Sequence, residues 1–197
     1  DPVLDDEGRI WSYAIDGQNW LVGGAINNGG VALAWLLDTV NELLPQSHHR
    51  TFDQLLALAQ TAEPGADGLL CLPFFSGERS PDWNVNTRGV FFGLSYNTNR
   101  ADILRAIMEG CAFAVYDNLQ IAAEHGVTAD EYLGPGGATQ SAVWCQIKAD
   151  VYGRPFVVAQ RVDGGEGGHG LGLFALTAHA VGLTDDIGEC VNTLLPK

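Results

Sequence analysis

The sequence is poor in positive charge. Lysine and arginine together number 10 against 24 aspartates and glutamates, and the formal net charge of the 197-residue chain is −14. There is no run of basic residues, and the only lysines are Lys148 and Lys197. Binding to nucleic acid or to an anionic membrane surface depends on clustered Lys and Arg, so both kinds of partner are disfavoured. A small anionic ligand would have to be held by backbone N–H groups and helix N-termini instead.

Cysteines are few and widely spaced. They are Cys71, Cys111, Cys145 and Cys190, and no two of them form a CxxC pair. This spacing favours reduced thiols in the core of a cytoplasmic protein over a disulfide framework. No signal peptide and no apolar run long enough to span a bilayer are visible. Because the first residue is Asp1 rather than Met, we expect the sequence to be an excised piece of a longer protein.

Several catalytic signatures are absent. The sequence has no GxxxxGK[ST] phosphate loop, no serine within GxSxG, and no metal-ligand spacing among its five histidines. The segment Gly165–Gly170 does match GxGxxG, between a predicted strand and a predicted helix. A dinucleotide-binding fold would need a further strand carrying an acidic residue, and residues 183–197 offer no such strand. These glycines are therefore interpreted as close packing of helix on sheet.

Glycine and apolar residues, in contrast, are abundant. The chain has 25 glycines, and 46% of its residues are hydrophobic, which suffices for the core of a single domain over residues 1–197. Two strand-like runs around Asp16-Gly17 predict a β-hairpin, and strand-like runs later alternate with helical ones. This order predicts an α/β domain in which helices pack on the faces of a mixed sheet.

Local signals place most of the elements. The predicted strands cover residues 10–15, 19–22, 69–74, 90–94, 131–133 and 156–160, and the predicted helices cover about 30–44, 51–62, 100–125, 141–152 and 172–182. Thr51 opens a capping box, Asn99 can cap the longest helix, and Gly126 can end it. The continuous apolar run 69–74 predicts a strand buried on both faces. Residues 183–197 are weakly patterned.

Two glycine turns stand directly before predicted helices. They are Asn27-Asn28-Gly29-Gly30 and Gly136-Gly137-Ala138-Thr139-Gln140-Ser141. A helix N-terminus offers unpaired N–H groups and the positive end of a dipole, and glycine lets a ligand approach the backbone. Ordinary turn-and-cap chemistry explains either turn alone equally well. Two such turns in a chain with this order of elements favour nucleotide binding.

Charged and polar residues elsewhere give weaker signals. The loop 76–89 contains Glu78, Arg79 and Asp82. They either belong to a site or form an ion pair that orders the loop, and composition favours the ion pair. His48-His49 is interpreted as a solvated turn.

Three further stretches share the pattern of a known family. One joins Gly89-Val90-Phe91-Phe92-Gly93-Leu94 to Asp102-Ile103 and Ala106-Ile107-Met108-Glu109, a second runs from Gly136 to Pro155, and a third runs from Phe75 to Trp83. They resemble, in turn, the C-terminal signature, the adenosine block and a conserved loop of the FGGY carbohydrate kinases. The resemblance extends from Arg9 to Gly182. Within that family, the run Gly23–Leu36 is most similar to the gluconate kinases.

This resemblance implies a ribonuclease H-like fold of the actin-type ATPases. It also implies the second of two domains that hold ATP and Mg²⁺ in the cleft between them. Gly30 would face the ATP phosphates, and Gly136, Gly137 and Ser141 would line the adenosine. The family's catalytic aspartate, its first phosphate loop and most of its sugar contacts belong to the N-terminal domain. The resemblance therefore assigns no catalytic and no metal-ligating residue to this chain, which lacks that domain.

The prediction is the ATP-binding C-terminal domain of a carbohydrate kinase that transfers the γ-phosphate to a hydroxyl of a sugar or sugar acid, with gluconate favoured. Xylulose or another polyol is the alternative substrate, and a non-catalytic nucleotide-binding module is the alternative function. The expected partners are that small molecule and the protein's own N-terminal domain, with a homo-oligomer left open. Nucleic acid and membrane are not expected partners, and the expected location is cytoplasmic.

Overall fold

The computed structural model describes residues 2–15, 19–134, 141–158 and 167–194. Its strands are β1 (Trp11–Ala14), β2 (Trp20–Gly23), β3 (Leu70–Leu72), β4 (Val90–Phe92), β5 (Tyr132–Gly134) and β6 (Phe156–Val158). Its α-helices are α1 (Gly30–Glu42), α2 (Phe52–Ala59), α3 (Arg100–Glu124), α4 (Ala142–Tyr152), α5 (Gly167–Ala180) and α6 (Ile187–Leu194). Single 3₁₀ turns lie at Gln46–His48 and Ala66–Gly68. None of the described helices is both long and apolar enough to cross a membrane.

The described strands pair two by two, in both orientations. β1 and β2 form the predicted antiparallel hairpin, with Trp11 opposite Gly23, and its turn at Asp16-Gly17 lies outside the described residues. β3 and β4 are also antiparallel. β5 and β6 are parallel, with Tyr132 opposite Phe156, and α4 connects them. The predicted α/β class, with parallel and antiparallel pairing and packed helices, is confirmed.

The capping predictions are confirmed atom by atom. At the start of α2, Thr51 Oγ1 accepts the N–H of Gln54, and the Gln54 side chain accepts the N–H of Thr51. Asn99 and Asp102 exchange the same pair of bonds at the start of α3. Each cap satisfies helix N–H groups that would otherwise lack a partner.

The predicted burial of residues 69–74 on both faces is wrong for Leu70 and Leu72, while Leu69, Cys71 and Pro73 are buried. Only Leu70–Leu72 forms a strand, and within it Cys71 is buried while the other two side chains are about half exposed. Helix α3 covers only the inner face of this strand, where Gly110 lies so close that a Cβ would come within 2.2 Å of Cys71 O. An apolar run predicts two-sided burial only where both faces are covered. In the described structure the outer face of β3 is not covered.

The two C-terminal helices also differ from the prediction. Helix α5 begins at Gly167, inside the glycine-rich stretch that was expected to precede it. Helix α6 was not predicted at all. Its signal is Asp186 followed three residues later by Glu189, since Asp186 Oδ1 accepts the N–H of Glu189 at 2.8 Å as an N-cap does.

Helix α3 is the centre of the core. Its buried face packs against α1, α2, α4 and β3, and includes the fully buried Ile107 and Met108. Burial raises the pKa of the Cys71 thiol to about 11 and that of Cys111 to about 12. Both cysteines are free, in accordance with the reduced thiols predicted from the spacing.

An ion-pair network ties the start of the chain to the end of α3. The carboxylate of Asp5 accepts hydrogen bonds from Arg9 Nη2 at 2.6 Å and from the backbone N–H of Arg9, and His125 Nε2 lies 2.9 Å from its Oδ1. Arg9 also contacts Glu124 at 3.1 Å. Hydrogen bonds from Arg9, aided by His125, hold the pKa of the Asp5 carboxyl well below its usual 3.8.

Replacing Asp5 by Asn is expected to make the acid unfolding of this chain less steep. The unfolded carboxyl takes up a proton near its usual pKa, while the folded one stays ionised to lower pH, so its stabilisation is lost as the pH falls below that value. The urea midpoint of the wild type should therefore drop more between about pH 5 and pH 3 than that of Asp5→Asn. Glu7→Gln, which alters an exposed carboxylate of the same network, is the control. Parallel pH profiles for wild type and Asp5→Asn would contradict the expectation.

Candidate nucleotide-binding site

The first N–H groups of α1 lack an acceptor within the described part of the chain. Gly29 is its N-cap and has no side chain to satisfy the first turn. Ala32 N–H donates to Gly29 O at 3.0 Å, but the N–H groups of Gly30 and Val31 meet no acceptor among the described residues. A Cβ built on Gly29 or Gly30 would have no atom within 4 Å. The geometry fits a phosphate group, which favours unpaired N–H groups at the positive end of a helix.

The two asparagines of this turn are anchored by hydrogen bonds to a neighbouring loop. Asn28 is 2% exposed; its Nδ2 donates to Gly77 O at 3.3 Å, and Ser76 Oγ lies 3.4 Å from its Oδ1. Asn27 Nδ2 donates to Ser76 O at 3.4 Å. The two asparagines of the predicted motif therefore fasten the turn to the loop 76–89, and the two glycines are partly exposed.

The second glycine turn is described only at its end. Gly136 and Gly137, predicted along the adenosine, lie outside the described residues. Ser141 is buried and forms the N-cap of α4, where its Oγ accepts the N–H of Trp144 at 3.2 Å. This capping bond fixes Ser141, the last residue of the second predicted turn, at the start of α4. The role of Ser141 beside adenosine stays a prediction.

The charged loop does not form the predicted ion pair. Glu78 and Arg79 are not bonded to each other in the described structure; the Arg79 guanidinium carbon lies 5.8 Å from the centroid of the Trp83 ring instead. Partial burial, together with the charges of Asp82 and Asp117, raises the pKa of the Glu78 carboxyl. His48 and His49 are exposed, as expected of a solvated turn.

Two residues that hold the turn were missed by sequence reasoning. Ser80 is 1% exposed; its N–H donates to Ala25 O at 3.0 Å, and its Oγ accepts the N–H of Ala25 at 3.1 Å. Asn118 of α3 donates from Nδ2 to Ser80 O at 3.3 Å. Asn is a poor former of helix interiors, so Asn118 in the middle of a long helix was a signal of a tertiary role. Nothing local marks Ser80.

Metal ligands are not clustered in the part of the chain that the structure describes. Within it, no three His, Cys, Asp or Glu side chains lie close enough together to hold a cation. Magnesium in phosphoryl-transfer sites is bound largely by substrate phosphates and water, with one or two protein carboxylates. A magnesium–nucleotide complex would therefore need no protein cage of carboxylates in this chain.

Comparison with known proteins places this arrangement in an established class. A solved gluconate kinase from Lactobacillus acidophilus superimposes with a TM-score of 0.82 at 30% identity, covering 96% of this chain and 37% of that one. The gluconokinase of Bacillus subtilis is 35% identical over 169 residues, which are 82% of this chain and 33% of that protein. A xylulose kinase of Staphylococcus epidermidis is 32% identical over 166 residues, 84% of this chain and 32% of that protein.

The fold is thus that of the actin-like ATPases, the class to which these kinases belong. Residues 1–179 match the C-terminal domain of the FGGY family of carbohydrate kinases, and the chain belongs to that family. It spans about a third of the length of the curated relatives it matches. The family predicted from Gly89–Glu109 and the later motifs is confirmed.

Proposed function

We propose that this chain is the ATP-binding second domain of a two-domain carbohydrate kinase. The observation that carries the proposal is the N-terminus of α1, where the N–H groups of Gly30 and Val31 have no acceptor among the described residues and a Cβ on Gly30 would contact nothing within 4 Å. In this proposal Gly30 faces the phosphates of ATP. Gly136, Gly137 and Ser141 line its adenosine at the start of α4.

Bound magnesium–ATP supplies the phosphoryl group and the cation that neutralises its charge. The residues of this chain contribute position: the backbone donors at Gly30 and Val31 hold phosphate oxygens at the helix dipole. Phosphoryl transfer depends mainly on such positioning and charge stabilisation. The catalytic base, an aspartate that accepts the proton of the sugar hydroxyl, is proposed to come from the N-terminal domain, and closure of the two domains excludes water.

Gluconate is the substrate we propose. The support comes from the glycine turn of the sequence, from the gluconokinase at 35% identity and from the gluconate kinase structure at a TM-score of 0.82. Xylulose is the second candidate, since a xylulose kinase is 32% identical over a similar span. The small difference between these identities makes a direct comparison of substrates necessary. We place the enzyme in the cytoplasm, where its free thiols stay reduced.

The substrate assignment predicts an order of catalytic efficiency. The full-length kinase that carries this chain should phosphorylate gluconate with a higher kcat/KM than xylulose or glycerol. ADP release coupled to NADH oxidation measures all three with the same enzyme and ATP concentration. A higher kcat/KM for xylulose would move the protein to the other branch of the family. ADP release with none of the sugars, together with intact nucleotide binding, would favour the non-catalytic module.

A further inference from the structure

Asn118 is a buried side chain whose hydrogen bonds reach away from its own helix. It is 7% exposed, and its Nδ2 donates to Ala114 O at 2.9 Å within α3 and to Ser80 O at 3.3 Å outside it. Its Oδ1 is buried and has no hydrogen-bond partner within the described residues. Leaving such an oxygen unpaired costs stability, which is tolerated where the residue has another task.

The Oδ1 of Asn118 lies directly against the backbone before the glycine turn. A Cβ on Gly24 would come within 1.9 Å of it, and within 3.0 Å of Ser80 Cβ. Only glycine therefore permits this approach of chain to helix. The next residue, Ala25, has both backbone groups bound by Ser80. One compact contact joins Asn118 and Ser80 to the backbone of Gly24 and Ala25, and it is here called the Asn118–Ser80 contact.

A second support of the same turn comes from one face of α3. Cys111 and Asn118 are seven residues apart, two helical turns or about 10 Å along the axis, and so lie on the same face. Cys111 Sγ lies 4.0 Å from Gly29 O, while Asn118 lies at Gly24. Between these two points Asn28 is bonded to the loop 76–89. The segment from Gly24 to Gly29 is thereby held at its beginning, at Gly24 and Ala25, and at its end, at Asn28 and Gly29.

We propose that Asn118 and Ser80 are positioning residues for the nucleotide. Through the Asn118–Ser80 contact they fix the direction of the N–H groups of Gly30 and Val31. The inference rests on the proposed function, because it assigns those N–H groups to phosphate. Neither side chain touches the ligand. Their effect is pre-organisation: donors that are already aligned need no reorganisation when the phosphate arrives.

A purely structural role would give a different result from a positioning role. Glu109, also on α3 and 7% exposed, accepts the N–H of Gly65 at 3.0 Å and Arg105 Nε at 2.6 Å. It anchors the same helix to a loop that does not lead to the glycine turn. Glu109→Gln therefore weakens an equally buried contact without disturbing the Asn118–Ser80 contact, and it is the matched control.

The test uses the full-length kinase that carries this chain, with two-dimensional amide NMR spectra recorded during titration with magnesium–ADP. In the wild type the signals of Gly30 and Val31 should shift with saturation. Asn118→Ala and Ser80→Ala should each raise the dissociation constant by about tenfold and speed hydrogen exchange of the Ala32 amide, which is bonded to Gly29 O. Glu109→Gln should lower the melting temperature while changing the dissociation constant by less than about twofold.

The outcomes separate the inference from the proposed function. The positioning role is overturned, and the proposed function stands, if Asn118→Ala and Ser80→Ala bind magnesium–ADP as well as the wild type and their amide hydrogen exchange is unchanged. If the wild type shows no shift at Gly30 or Val31, the phosphate assignment falls and takes the positioning role with it. If Asn118→Ala does not fold, Ser80→Ala decides alone, since it removes one acceptor and little volume.

Discussion

Gly30→Val should weaken ATP binding by at least about tenfold while leaving the fold intact. The expectation follows from two facts about the same position. A Cβ on Gly30 contacts nothing within 4 Å among the described residues, so we expect the substitution to be tolerated in the unliganded domain. In the proposed complex that open space is filled by phosphate, which a valine side chain would displace. Calorimetric titration of ATP into the full-length kinase measures the loss.

The expected result discriminates because steric loss should follow side-chain size. Gly30→Ala should give a smaller loss than Gly30→Val, and both proteins should melt near the wild-type temperature. Arg100→Val, at the exposed first position of α3, controls for a branched residue at a helix start. Wild-type affinity in the folded Gly30→Val protein would remove Gly30 from the site. The same titration with Gly137→Val tests the second glycine turn, which the structure does not describe.

Features set by neighbouring residues could be predicted from the sequence. The caps at Thr51 and Asn99, the hairpin strands and the helix that begins at Gly30 each depend on side chains within a few positions. Local hydrogen bonds and helical periodicity decide such elements, and both are legible in one sequence. The family motifs added the fold, because they span strand and helix together.

Features set by distant residues could not be predicted in the same way. Ser80 binds Ala25 across 55 positions, and Asn118 reaches Ser80 across 38. Neither pair leaves a periodic trace in the sequence. The exposure of Leu70 and Leu72 likewise depends on what covers β3 and not on β3 itself. The sequence motif groups Asn27 and Asn28 with the glycines of the turn, and only the fold shows that Asn28 is buried and bonded to Gly77 O.

Two groups of apolar side chains are exposed on the described surface. Leu70, Leu72, Val90 and Phe92 lie on one face of the β3–β4 ladder, and each is about half exposed or more. Val31 and Trp35 form a second exposed apolar strip on α1, next to the glycine turn. Contiguous apolar patches of this kind are typical of interfaces. They are consistent with a partner domain that covers part of this surface in the proposed kinase.

Residues 1–197 alone should not phosphorylate any sugar. Transfer requires a carboxylate within hydrogen-bond reach of the attacking hydroxyl and donors on the γ-phosphate from both sides of a cleft. The chain offers one side, the start of α1. Its acidic candidates in the neighbouring loop, Glu78 and Asp82, lie close enough for their charges to raise the pKa of Glu78, and the family resemblance does not assign the base to that loop.

The measurement is sugar-dependent ADP formation by the isolated chain over a panel that includes gluconate, xylulose and glycerol. The expected turnover is indistinguishable from a no-enzyme control, while the same preparation shows cooperative unfolding and a weak magnesium–ADP titration. The full-length kinase at equal concentration is the positive control. Restoration of turnover by adding a separately expressed N-terminal domain would show that the two halves complement each other. Turnover by residues 1–197 at the full-length rate would place the catalytic base within this chain. Glu78→Gln would then be the first substitution to examine. Partial burial and the neighbouring carboxylates raise the pKa of Glu78, and raised pKa values are common among catalytic carboxyl groups.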